Sequence, residues 1–574
     1  MKSNEPAAWP CATIAECQDK LCAAGEYFEM ETVDIRGHPT RVWKNAPANF
    51  AALAERARRH GDATFIVYES DRVSYEGWYR AVSSLSRHLQ DSGVGRGDRV
   101  AIAMRNLPEW PIVFFAATVI GAIAVPLNAW WSADELTFGI DNSGAQILIC
   151  DGERHSLLAS RLSGLPLKQV LVARASGLLA PGYRSIEAIL GYPGTYENLP
   201  DQSLPHVAVA ADDMATIFYT SGTTSRPKGV IGSQRVSLSN IHSSAYSVAR
   251  AAVRRGAEWS PPVPKTILLS IPFFHVTGCN ARLLGSMWNG DKMVLMRKWD
   301  ALEAFALIER EKVTNAGGVP AIAWQILDHP ERDRFDLRSL ESLSYGGAPA
   351  ASELVRRIFG DMKLSAGYGW GMTETGATAT IHSGEDYRHR PESCGLPVPV
   401  AELKIVDPET LETLPAGTVG EVWAFGPMVA EGYWLRPDET DRCFVDGWVR
   451  TGDLGKIDEE GFLFLVDRLK DIIIRGGENI YSTEVENILF DHPAVTDAAV
   501  FARPDKVLGE VPVAVVHLVD GASAAESELR AWVRAKLAAF KVPERVFIAS
   551  APLPRNANGK ILKKELAAFY LRAS

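Results

Sequence analysis

The sequence predicts an α/β fold: a large N-terminal domain of parallel-rich sheets covered by helices, followed by a small α+β domain. Three observations carry this. The chain has 574 residues, several times what one compact core needs. Its first part alternates short apolar runs with helix-length segments, the rhythm of parallel strands joined by crossover helices. Past residue 460 the texture changes to a strand, a charged joint and a mixed tail of about 100 residues, a common domain size.

In chain order, residues 99–104 (RVAIAM) and 146–150 (QILIC) read as short buried strands. Residues 110–119 and 132–142 read as helices between them, with a short strand at 122–125. Residues 214–219 (MATIFY) form a further strand-like run that delivers a loop of small residues. Residues 461–466 (GFLFLV) read as a strand, and the charged joint Asp467-Arg468-Leu469-Lys470-Asp471 follows. Then come a strand at 472–474, a Gly476-Gly477 turn, and a helix opening near Ser482. Glu484 and Glu486 sit in its first turn, where acids favour the helix dipole. Residues 511–518 read as a strand. Residues 523–537 read as a helix with Leu529, Trp532, Val533 and Leu537 on one face. The expected division is 1–467 for the large domain, with 1–45 as an extension, 468–470 for the joint and 471–574 for the small domain.

Composition narrows the function classes. Apolar residues make up 47% and charged residues 23%, the balance of a soluble globular protein. The net charge of −10, with no long basic run, excludes nucleic acid as the main partner. The seven cysteines are odd in number, irregular in spacing and contain no C-x-x-C pair, so neither a disulfide framework nor a zinc site is expected. The stretch at 111–131 is the most membrane-like, but Gly121, Pro126 and Asn128 interrupt it short of the about 20 apolar residues a span needs. A cytoplasmic protein without an integral span is expected. Peripheral membrane contact and a homodimer both stay open.

The strongest local signal is Thr220-Ser221-Gly222-Thr223-Thr224-Ser225-Arg226-Pro227-Lys228-Gly229. A strand feeding such a loop exposes successive backbone N–H groups. With the hydroxyls of Ser221, Thr223 and Thr224 they make an anion cradle, and Lys228 adds a mobile cation. The matching cargo is a polyphosphate. Composition alone is equally compatible with a flexible surface loop. A P-loop is excluded, because that motif needs Gly-Lys-Ser/Thr where this chain has Lys228-Gly229-Val230.

This segment resembles the signature loop of the adenylate-forming superfamily, which includes acyl-CoA synthetases, luciferases and peptide-synthetase adenylation domains. Ser225 stands where that family usually has Gly. Further matches follow in family order from about residue 50 to the C-terminus. They are Ile271-Pro272-Phe273-Phe274-His275-Val276-Thr277-Gly278; Tyr345-Gly346-Gly347-Ala348-Pro349; Trp370-Gly371-Met372-Thr373-Glu374-Thr375; 448–454 (WVRTGDL); and 553–562 (LPRNANGKIL).

The resemblance implies an ATP-dependent acyl-CoA ligase using ATP, Mg²⁺ and CoA on a small-molecule carboxylic acid. It implies a nucleotide site made of Thr220, Ser221, Gly222, Thr223, Thr224, Lys228, Gly346, Gly347, Ala348, Pro349, Trp370, Gly371, Met372, Thr373, Asp453, Arg468 and Lys560. Trp370 replaces the family's usual Tyr and is expected to stack on adenine. Glu374 is the implied magnesium ligand, with Thr373 near the α-phosphate, and Asp453 the acceptor of both ribose hydroxyls. Lys560 is the implied catalytic lysine, His275 lies beside the reacting carboxylate, Lys470 is the hinge of a mobile small domain, and Gly476-Gly477 meet the CoA arm. His275, Val276, Asn280, Trp324, Gly317-Gly318 and Gly369 are expected near the acyl pocket. Their small and apolar character points to a hydrophobic acid such as a medium- or long-chain fatty acid, with aryl and steroid-like acids as alternatives. A carrier-protein thiol is the alternative acceptor, and a non-catalytic nucleotide sensor the alternative from another class.

Overall fold

The computed structural model describes residues 9–220, 226–346, 352–519, 521–555 and 560–571. Two large sheets form the first part. One has eight strands in the spatial order Gly432–Tyr433, Lys228–Ser233, Met214–Thr220, Ile123–Pro126, Arg99–Ala103, Ile147–Asp151, Gln169–Ala173 and Tyr183–Ser185. From Met214–Thr220 onward its neighbours are parallel. The second has nine strands and is parallel through its centre, Ser365–Trp370 to Thr64–Tyr68.

Helices Tyr75–Asp91 and Glu109–Thr118 lie between the sheets. One apolar cluster joins Val100, Ile102 and Ile149 of the first sheet to Phe65, Leu269 and Met293 of the second through Trp78, Trp110, Phe114 and Phe115. Each such fully buried side chain stabilises by about 1.5–3 kcal/mol relative to exposure. Every residue of Glu109–Thr118 is buried, which explains its membrane-like composition. Among the described residues no helix is long and apolar enough to cross a membrane.

The N-terminal segment is a packing arm. The Cys11 N–H donates to the Arg254 carbonyl at 2.7 Å, and Arg36 donates to the carbonyls of Ala430 and Val429 at 2.9 and 3.1 Å.

A third sheet, Glu402–Val406 to Leu463–Arg468, closes the large part, and sheet membership changes after it. Strands Ile473–Arg475, Glu478–Ile480, Val495–Asp505, Gly509–Leu518 and Arg545–Ala549 form a separate sheet with its own core of Ile473, Leu489, Val500, Val516 and Val533. Asp467 spans the joint. Its carboxylate accepts from the backbone N–H and, at 3.1 Å, the hydroxyl of Ser482, at the start of helix Ser482–Phe490. An acid at a helix N-terminus satisfies otherwise unpaired N–H groups.

Candidate active site

The candidate residues converge on one cavity of about 1420 Å³, lined from both parts of the chain. Thr220, Lys228, His275, Val276, Gly346, Gly369, Gly371, Met372, Thr373, Glu374, Arg468 and Lys560 all border it.

The expected phosphate loop joins two antiparallel strands. Thr220 and Lys228 are paired at its base, and the chain continues from Lys228 as an antiparallel strand. A P-loop would continue as a helix. Ser221, Gly222, Thr223 and Thr224 lie outside the described residues, as do Gly347, Ala348 and Pro349. Lys228 is ion-paired with Glu439 of helix Pro437–Cys443 and lies over the Tyr433 ring, 5.1 Å from its centroid.

Thr373 and Glu374 sit on a single 3₁₀ turn after strand Ser365–Trp370. Gly371 permits the turn. A Cβ there would lie 2.1 Å from the Ala377 carbonyl oxygen. The Glu374 carboxylate accepts from the Tyr433 hydroxyl at 2.7 Å. Burial raises its pKa, and the Tyr433 donation and the more distant Arg468 and Lys228 charges oppose that rise. A single carboxylate facing a phosphate site suits Mg²⁺, which takes its remaining ligands from phosphate oxygens and water.

Along strand Ser365–Trp370, Gly367 and Gly369 border the cavity, and Trp370 at the strand's end does not. The indole is 6% exposed and does not border the cavity in this structure. Its N–H donates to Asp453 at 3.0 Å. The other Asp453 oxygen meets Arg468 at 2.8 Å, because the two residues face each other across antiparallel strands. Trp370 and Arg468 thus share Asp453, with Arg468 facing the cavity.

His275 lines the cavity deep in the large domain, where burial pushes its pKa down to about 4. The Thr277 N–H donates to its Nδ1 at 3.2 Å. A ring that accepts on Nδ1 and stays neutral carries its proton on Nε2, so His275 offers one N–H donor. Val276 and Gly369 border the same space. Asn280 does not: its amide donates to the Gly376 carbonyl at 2.9 Å, and Asn240 does likewise at 3.0 Å, pinning the chain just after Glu374. Trp324 also lies elsewhere, under the Arg357 guanidinium.

Lys560 reaches the cavity from the small domain. Its loop is anchored by Arg555, which bonds both Asp497 oxygens at 2.7 and 2.6 Å, and by the Arg555–Ile561 bridge. Lys560 is exposed and borders the cavity. Desolvation, with the like charges of Arg468 and Lys470, pushes its pKa down to about 8. Lys470 lies on the turn Leu469–Asp471, and burial lowers its pKa too. Gly476 and Gly477, both at positive φ, turn the hairpin from Ile473–Arg475 to Glu478–Ile480 and do not border the cavity.

Three participants carried no motif signal: Tyr433, Glu439 and Arg282, which also borders the cavity. Only the paired strands bring Tyr433 to Glu374.

Comparison with known proteins identifies the family. The family model for "AMP-binding enzyme" matches residues 53–434, and that for "AMP-binding enzyme C-terminal domain" matches 484–560. A feruloyl-CoA synthase of Amycolatopsis sp. is 33% identical over 511 residues, covering 89% of this chain and 96% of that protein. A fatty acid–[acyl-carrier-protein] ligase of Streptomyces coeruleorubidus is 32% identical over 515 residues, covering 87% and 92%. The solved amide bond synthetase McbA of Marinactinospora thermotolerans superposes with a TM-score of 0.79 at 29% identity, covering 91% of this chain and 99% of that one. The chain belongs to the AMP-binding enzyme family, the adenylate-forming superfamily that includes the acyl-CoA synthetases.

Proposed function

We propose that this enzyme joins a largely apolar carboxylic acid to AMP, releasing pyrophosphate, and then transfers the acyl group to the thiol of CoA. The observation that carries the reading is the convergence of Lys560, Glu374, Thr373 and His275 on one cavity at the base of the phosphate loop.

The obstacle in the first step is two anions meeting. A carboxylate oxygen attacks the α-phosphorus, and the bond to pyrophosphate breaks. Lys560 lies between the two, neutralising the carboxylate and the α-phosphate oxygens together, and the His275 Nε2–H holds the carboxylate. Glu374 would hold the magnesium of MgATP, whose charge would be spread over the phosphates. This is electrostatic preorganisation combined with positioning. In the second step the CoA sulfur attacks the acyl carbon, its proton is lost and AMP leaves. Gly476 and Gly477 are proposed to meet the CoA arm after a rotation about Lys470. Their distance from the cavity in this arrangement fits a two-geometry cycle.

The direct test is mass spectrometry of the purified protein with ATP, Mg²⁺, CoA and a panel of acids. Acyl-CoA and AMP appearing together are the expected outcome. Acyl-adenylate without thioester would favour a carrier-protein acceptor, the activity named for the Streptomyces coeruleorubidus relative. Binding of ATP with no product from any acid would reject the ligase reading. The fatty-acid length is open to the same panel, and a homodimer forms no part of this proposal.

The Asp453 network gives a second prediction. Asp453→Asn removes the charge opposite Arg468 and should weaken nucleotide binding about tenfold, typical for a charge-assisted hydrogen bond. Calorimetric titration with ATP measures it. An unchanged affinity would remove Asp453 from nucleotide recognition.

A further inference from the structure

One arm of the cavity runs away from Lys560 and Glu374, between helix Asn240–Arg254 and the segment Thr277–Leu283. Ala245, Val248, Trp259 and Pro261 make much of its wall apolar. Thr277–Leu283 is a π-helix, a form that closes its hydrogen bonds five residues apart. Thr277 and Arg282 therefore fall on one side, where an α-helix would turn them apart. Both border the cavity.

The Arg282 guanidinium has no hydrogen-bond or ion-pair partner among the described residues. Among the described residues no carboxylate oxygen comes within 4.0 Å of it, and no side-chain or backbone acceptor bonds it. Asp291, its nearest counter-charge, acts only at longer range and already accepts the Lys265 N–H at 2.8 Å. Lys265, the neighbouring cation, is paired with Glu341 at 2.6 Å. Arg255 and Glu258 complete the charges along this arm. Arg282 is half-buried in the cavity wall, and a partly desolvated charge gains from an opposite partner.

We infer that the missing partner is the substrate: the acid that this enzyme activates carries a second carboxylate at the end remote from the reacting one. The planar guanidinium fork matches a carboxylate with two parallel hydrogen bonds. The apolar wall between His275 and Arg282 suits a hydrocarbon or aryl body joining the two groups. This inference rests on the ligase reading above and narrows its substrate class.

The test pairs each alkyl and arylalkyl acid of the panel with its analogue bearing a distal carboxylate, and follows pyrophosphate release. In the wild type kcat/KM should favour the dicarboxylic member at the best length about 10- to 100-fold, the range for a charge-assisted bidentate contact. Arg282→Met should abolish or reverse that ratio, mainly through KM of the dicarboxylic acid. Arg282→Lys should retain part of it. Where Arg282→Met does not fold, the wild-type ratio and Arg282→Lys decide. A wild type indifferent to the distal carboxylate, or an Arg282→Met that slows both members equally, would overturn this inference and leave the ligase reading standing. A folded protein that releases pyrophosphate with no acid would overturn both.

Discussion

Lys560→Ala should cut acyl-adenylate formation by about 10²–10³-fold, the loss typical of one preorganised charge-stabilising donor. Thioester formation from supplied acyl-adenylate should be nearly unchanged. The asymmetry follows from the chemistry: only the first step brings a carboxylate to a triphosphate, and only there does a cation between them lower the barrier. Equal loss in both steps would refute the role, and isolated half-reactions measure it. The same residue sets a pH dependence. With its pKa held near 8, Lys560 is protonated below that value and loses its charge above it. The free-enzyme parameter, kcat/KM for ATP, should therefore fall as pH rises through about 8. Lys560→Arg should lose that limb, because a guanidinium does not deprotonate in this range.

Glu374→Gln keeps the side-chain shape and the Tyr433 contact while removing the charge. MgATP affinity should drop by at least the roughly 10–100-fold that loss of even an outer-shell partner of a metal ligand typically costs. Raising the Mg²⁺ concentration should recover part of the loss. Affinity for ATP with magnesium chelated should change little. Calorimetric titration at several Mg²⁺ concentrations separates the two terms. Magnesium dependence identical to that of the wild type would mean that Glu374 is not a ligand.

Much of the fold was legible because its strands are buried on both faces. Residues 99–104, 146–150 and 214–219 read as continuous apolar runs, and they form Arg99–Ala103, Ile147–Asp151 and Met214–Thr220. The helix boundary near Ser482 was legible from its acidic first turn. The site residues were legible only as short contiguous motifs, since a motif is a local object. Asn280 lies just past one of those segments and Trp324 far from any, and neither borders the cavity, because the direction of a side chain depends on helix phase and on what packs behind it.

The amino-acid order by itself therefore determined the family, the two-part architecture and the chemical types gathered for a nucleotide and an acid. These depend on composition and on neighbours within a few residues. Tertiary structure alone decided that Trp370 and Arg468 share Asp453, that Tyr433 bonds Glu374, and that Arg282 borders the cavity with no carboxylate among the described residues within 4.0 Å. The first two join residues 59 or more apart in sequence, or opposed across strands, through pairing register, and the third depends on a turn of π-helix. Neither strand register nor helix type is written in any one residue. Both emerge only when the sheets and helices pack.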